Sequence, residues 1–146
     1  MVGAIRSFRD LEVWQRAVEL AVASYAITRV LPKEERFALG DQMRRSAVSI
    51  STNIAEGHAR HSTAEFLQAL SHSRGSLGEL ETLLEIAVRV SYVSDADASQ
   101  AFSLATDTGR LLSGLVRSLR EKLDRPSPRP RRPRNPPGPQ PPASGP

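Results

Sequence analysis

The chain contains no cysteine, a single proline in its first 124 residues and no uninterrupted apolar run of membrane-spanning length. Without cysteine there are no disulfides and no thiolate metal sites, which fits a reducing cytosol. Without a long apolar run a membrane span is not expected. The N-terminal stretch MVGAIRSFRD lacks the apolar segment of a signal peptide. The expectation is therefore a cytoplasmic protein with no membrane partner. Scarcity of proline fits long, uninterrupted secondary structure, because proline interrupts helices and sheets alike.

What is present divides the 146 residues in two. Ten of the eleven prolines lie between Pro126 and Pro146. Charge divides at the same place: residues 1–124 carry 15 Lys+Arg against 16 Asp+Glu, whereas residues 125–146 carry five arginines and no acid. The pI of about 10.3 therefore belongs to the tail, and the rest is near neutral. Residues 1–124 are long enough for one domain with a buried core. Residues 125–146, RPSPRPRRPRNPPGPQPPASGP, read as a disordered basic segment of polyproline II character.

Apolar spacing in the first piece has a period near 3.5 and predicts four helices. The first, from about Phe8 to Val30, has Leu11, Trp14, Val18, Ala21, Tyr25 and Thr28 on one face and a Ser7/Asp10 capping box. Leu31-Pro32 ends it. A second runs from about Pro32 to Glu56 on a stripe of Met43, Ala47, Ile50 and Ile54, extended by Phe37 and Leu39, with Gly57 as its terminating residue. The third opens on a Ser62/Glu65 capping box and keeps Phe66, Leu70, Ser73, Leu77, Leu80, Leu84 and Ala87 in register to about Val90. Gly75 and Gly78 inside it suggest a close helix crossing. Ser94 caps a fourth helix to about Leu123, with Ala101, Leu104, Thr108, Leu111, Leu115 and Leu119 as its stripe, widened by Leu112, Val116 and Leu123. Short connections make this an all-α, antiparallel up-down-up-down four-helix bundle.

The second and third helices also carry polar stripes. Gln42, Arg45, Ser49, Asn53 and Glu56 share a face, and Arg74, Glu79 and Glu81 follow on the third helix. They read as a polar network or subunit interface, with Arg45 or Arg74 paired to Glu56 or Glu81 either between helices or between protomers, since buried charges need partners. A solvated face and a ligand site are the alternatives. His58 and His61 invite a metal reading, but a glycine break before them removes any guaranteed ligand geometry. Ser73-Arg74-Gly75-Ser76-Leu77-Gly78 lacks the strand-to-helix context and Gly-Lys-Ser/Thr ending of a phosphate loop. There is no Gly-x-Ser-x-Gly elbow. No catalytic set, metal site or cofactor is expected.

Several strings are specific: Phe8-Arg9-Asp10-Leu11-Glu12-Val13-Trp14, Leu31-Pro32-Lys33-Glu34-Glu35, Gln42, Arg44-Arg45, Ser49-Ile50, Asn53-Ile54-Ala55-Glu56-Gly57, Glu65-Phe66, Arg74-Gly75-Ser76-Leu77 and Glu79-Leu80-Glu81. Over about residues 7–120 they resemble the bacterial 23S rRNA-intervening-sequence protein family. The chain departs from the family pattern at Ala59, where a loop glycine is usual, and in the composition of residues 37–41. The resemblance implies left-handed bundles assembling into rings, typically homopentamers, with no enzymatic activity attached. Some members are encoded within insertions in 23S rRNA genes. A related branch, the accessory variability determinant proteins of diversity-generating retroelements, binds a reverse transcriptase and nucleic acid.

The expected function is accordingly a non-enzymatic, ring-forming scaffold that binds RNA or DNA, as accessory to a nucleic-acid enzyme such as a retroelement reverse transcriptase. Candidate phosphate contacts are Arg44, Arg45, Arg60 and Arg74 in the bundle and Arg125, Arg129, Arg131, Arg132 and Arg134 in the tail. In a homopentamer the tails would act multivalently. If the bundle arginines are scattered among acids, only the tail can carry binding. The competing reading is a protein-interaction adaptor whose tail is a peptide ligand, since Pro130-Arg131-Arg132-Pro133 fits a PxxP pattern. A purely solubilising tail, and a small-molecule site on the Asn53/Glu56/Arg74/Glu81 set, are the remaining alternatives.

Overall fold

The computed structural model describes residues 5–126 and 136–145. Its four α-helices are α1 (Glu12–Thr28), α2 (Leu39–Ala59), α3 (Thr63–Arg89) and α4 (Asp95–Asp124). No strand occurs among the described residues. Each helix packs against two neighbours, in the cyclic order α1, α2, α3, α4, which is the antiparallel four-helix bundle that the short connections require. At 1.5 Å per residue α4 is about 45 Å long. Beyond it, Arg125, Pro126 and residues 136–145 form neither helix nor strand and are exposed. Arg129, Arg131, Arg132 and Arg134 lie outside the described residues.

Local hydrogen bonds begin the elements where the sequence places them. Ser7 and Asp10 form a complete capping box around a 3₁₀ turn over Phe8–Asp10, and α1 proper starts after it. The Ser62 and Ser94 hydroxyls accept the backbone N–H groups of Glu65 and Asp97, each at 3.1 Å. Helix α3 ends at Arg89, and Ser91, just past its cap, takes a left-handed φ of 66° and lets the Tyr92 N–H reach back to the Ala87 carbonyl at 2.9 Å.

The second helix starts later than predicted. Lys33–Glu35 forms a separate 3₁₀ turn, and a further turn through Phe37 precedes Leu39. The Glu35 carboxylate then accepts the Leu39 N–H at 3.4 Å, a charge suited to the positive end of α2. Phe37 does not extend the core stripe; it is 83% exposed.

The core is aliphatic. Met43, Ala47, Ile50 and Ile54 of α2 and Leu70, Ser73, Leu77, Leu80, Leu84 and Ala87 of α3 are buried as their spacing predicts. Helix α1 is rotated by about one residue from the predicted face. Val13, Ala17, Leu20, Ser24 and Ile27 are buried, as are Leu11 and Thr28 at the ends of the predicted stripe, while Trp14, Val18 and Ala21 lie at the margin and Tyr25 is exposed. Both stripes obey helical spacing. The polar Ser24 obscures the correct one, but its hydroxyl donates to the Leu20 carbonyl at 2.8 Å, so it is buried without an unmet hydrogen bond. Trp14 instead packs edge-on to Phe8 at 5.1 Å, closing the bundle's lower margin. On α4, Leu112 and Val116 are buried, Leu111, Leu115 and Leu119 are partly so, and Leu123 is exposed.

Three glycines act otherwise than expected. Gly57 does not end α2, which continues to Ala59. A Cβ on Gly57 would stand 2.7 Å from the Ala69 Cβ and 3.0 Å from Phe66 Cδ1, so this is the residue that permits close approach of α2 and α3. Gly75 and Gly78 face open space rather than a helix crossing. Ala59 is the last residue of α2 and does not have a positive φ, so it stands without strain where the resemblance expects a glycine.

Candidate functional site: the polar groove of α2 and α3 and the arginines around it

Close approach at Gly57 brings the polar stripe of α2 against α3. The two helices are joined by hydroxyls. Ser73 donates to the Ile50 carbonyl at 2.8 Å, and Ser76 donates to Ser49 Oγ at 2.8 Å. Asn53 Nδ2 completes the cluster, donating to the carbonyl and hydroxyl oxygens of Ser49 at 2.8 and 3.0 Å. On one side of this cluster is a cavity of about 200 Å³ lined by Gln42, Arg45, Ser49, Ser76 and Glu79. On the other, an open depression of about 450 Å³ is lined by Asn53, Glu56, Arg60, Glu65, Gln68 and His72.

The groove therefore collects Gln42, Arg45, Ser49, Asn53, Glu56 and Glu79 as a set, together with Arg60. It does not collect Arg74 or Glu81. Arg74 turns to the opposite flank of α3 and donates to Ser113 Oγ of α4 at 3.0 Å. Glu81 lies with Thr82, Glu85, Ile86, Arg89 and Phe102 on the α3/α4 face. Pairs of Arg45 or Arg74 with Glu56 or Glu81 are not formed between helices of the one chain among the described residues. The ion pairs found there are local to one helix: Arg16–Glu19, Arg44–Asp41, Arg89–Glu85 and Arg110–Asp107.

Chemically, the groove offers amides, hydroxyls and charges of both signs. A nucleophilic hydroxyl needs an adjacent base; the hydroxyl partners of Ser49 and Ser76 are each other and the Asn53 amide. His58 is not in the groove. It sits edge-on to Phe66 at 5.9 Å. Among the described residues no group of three or more His, Asp or Glu side chains is placed to hold a metal ion. The surface suits contact with another polar surface.

The bundle arginines are dispersed. Arg44 is half-buried, pairs with Asp41 and donates to the Arg36 carbonyl at 2.6 Å. Arg45 shares its cavity with Glu79, and Arg60 shares its depression with Glu56 and Glu65. Arg74 alone of the four shares its cleft with a second arginine, Arg120 of α4, beside Ser71. Reading the sequence passed over Arg120 and Ser113. The signal was available: Ser113, Arg117 and Arg120 recur at 4-3 spacing on the last helix.

No helix among the described residues is long and apolar enough to cross a membrane. No curated protein matches the chain. A crystal structure of a protein of unknown function from the S23 ribosomal protein family, from Bacteroides thetaiotaomicron, is similar. It has a TM-score of 0.67 at 26% sequence identity, covering 71% of this chain and 97% of that one. The family model described as 23S rRNA-intervening sequence protein matches residues 9–114, which include all four helices but the last turns of α4. The chain belongs to the 23S rRNA-intervening sequence protein family.

Proposed function

We propose that the chain is a non-enzymatic cytoplasmic scaffold that assembles into a ring, most simply a pentamer, and binds RNA or DNA through its basic C-terminal segment. It would serve as accessory to a nucleic-acid enzyme such as a retroelement reverse transcriptase. The observation that carries this reading is the segregation of charge. Arg16, Arg44, Arg89 and Arg110 pair with an acid on their own helix and Arg45 and Arg60 share a cavity with acids, whereas residues 125–146 hold five arginines and no acid. Such a segment is suited to phosphates and to counterion release.

Self-association is supported by apolar surface left uncovered. Tyr25, Val30, Phe37, Ile86 and Val90 are exposed toward the end of the bundle where α1 and α3 finish. The polar groove of α2 and α3 supplies a second contact surface of matched donors and acceptors.

Sedimentation of the full chain and of residues 1–124, with and without a short structured RNA at low and high salt, tests the proposal. A ring for both, with RNA held by the full chain alone and lost at high salt, is the expected result. A monomer indifferent to RNA at low salt overturns it. Capture of a protein partner that survives nuclease treatment and requires residues 125–146 would favour the adaptor reading instead.

A further inference from the structure

We infer that the cleft between α3 and α4 holding Arg74 and Arg120 is a phosphate-binding site, the folded half of a nucleic-acid contact whose other half is the C-terminal segment. The inference rests on the nucleic-acid reading above and places part of that contact on the bundle.

Arg74 is held across a helix boundary. Its Nη2 donates to Ser113 Oγ of α4 at 3.0 Å, which places the exposed guanidinium over the α3/α4 seam. Arg120 lies two helical turns beyond Ser113 on the same face. The two arginines line one depression of about 70 Å³ with Ser71, over a floor of Leu67, Leu70 and Val116. A phosphate group fits a depression of that size.

The charge there is uncompensated. Among the described residues, Arg16, Arg44, Arg89 and Arg110 each pair with a carboxylate three or four positions away on their own helix. Among the described residues Arg74 and Arg120, like Arg45, Arg60 and Arg117, have no carboxylate within 4.0 Å, and here two such arginines share one cleft. Glu121 and Asp124 stand one turn beyond Arg117 and Arg120 and do not reach either guanidinium. Two like charges brought to one small cleft, with a hydroxyl from each helix beside them, leave a place for an anion between them. Guanidinium forks and hydroxyls are the donors that phosphate oxygens accept from.

Position argues for a backbone and not a free ion. Arg125 follows Arg120 by one and a half turns, about 7–8 Å along the helix axis. The remaining arginines of the segment continue from there. Recognition of this kind reads charge and not base, so RNA and DNA strands should bind alike.

The test is fluorescence anisotropy of labelled 20-nucleotide oligo-uridine and oligo-thymidine with the full chain, titrated at several salt concentrations. For single strands each phosphate contact contributes about 0.7 to the slope of log K against log salt, or about fivefold in affinity at 0.1 M relative to 1 M. The double variant Arg74→Gln/Arg120→Gln should therefore lower the slope by about 1.4 and weaken binding more than tenfold on both probes. Arg110→Gln, which removes a guanidinium already paired with Asp107, should leave the slope unchanged. Arg74→Gln alone should lower the slope by about 0.7, and this single variant tests the site even if the double variant folds poorly. Wild-type affinity and slope in the double variant, or in Arg74→Gln where the double variant does not fold, overturns the site and leaves the segment as the sole contact. Failure of the wild-type chain to bind either probe at low salt overturns this inference together with the reading it rests on.

Discussion

The hydroxyl of Ser73, wholly buried in α3, donates to the main-chain carbonyl of Ile50 in α2 across 2.8 Å. A serine in an apolar stripe thus ties α3 to the backbone of α2. It spans the seam at the middle of α2, between the two halves of the polar groove. Replacing Ser73 by alanine should lower stability by about 1 kcal/mol, because Ile50 loses a second donor while keeping its helical one. Denaturant unfolding checks this. A variant as stable as the wild type would mean the bond contributes nothing net.

Glycines separate cleanly in their expected effects. Gly57→Ala forces a methyl to within 2.7 Å of the Ala69 Cβ, and overpacking of this kind costs about 1–3 kcal/mol. Gly75→Ala and Gly78→Ala meet nothing within 4 Å in the single chain. Each should raise the stability of the dissociated chain by up to about 1 kcal/mol through helix propensity. If either instead prevents assembly while raising that stability, the glycine faces another copy of the chain.

Ser91 holds a left-handed φ of 66° at the end of α3. Glycine adopts this conformation without the Cβ penalty, so Ser91→Gly should stabilise the fold by roughly 1 kcal/mol. A loss of stability on thermal melting would contradict the strain argument.

Both Ser62 and Ser94 accept an N–H three residues on, at 3.1 Å. Alanine at either position should cost about 1 kcal/mol, and the two losses should add, since the caps belong to different helices. Aspartate at Ser94 should restore most of its share.

Phe37 is 83% exposed and packs into no core. Phe37→Ser should leave the melting temperature of the dissociated chain unchanged within experimental scatter and weaken self-association. Light scattering across a concentration series measures the second effect. An unchanged assembly would remove Phe37 from the contact surface.

How legible the molecule was depended on whether each feature was local. The capping serines, the end of α3 and the buried stripes of α2 and α3 could be read from spacing because hydrogen bonds between residues three or four apart, and a 3.6-residue period, are properties of one helix. The rotation of α1 could not. Two neighbouring stripes satisfy the period, and only the Ser24–Leu20 bond makes the polar-looking one burial-competent. The polar set was half legible for the same reason. Gln42, Arg45, Ser49, Asn53 and Glu56 share one helix and stayed together. Arg74 and Glu81 lie on the flank of α3 opposite to Ser76 and Glu79, and so turn toward α4.

The amino-acid sequence alone determined the number of helices, most of their caps, the aliphatic composition of the core and the segregation of positive charge beyond Asp124. These follow from chain-local rules of period, capping and composition. Tertiary structure decided which flank of each helix meets which neighbour, and with it the use of Gly57 as the point of closest approach and the meeting of Arg74 with Arg120. The reason is geometric: a helix presents several faces of comparable polarity, and the packing of the other three selects among them.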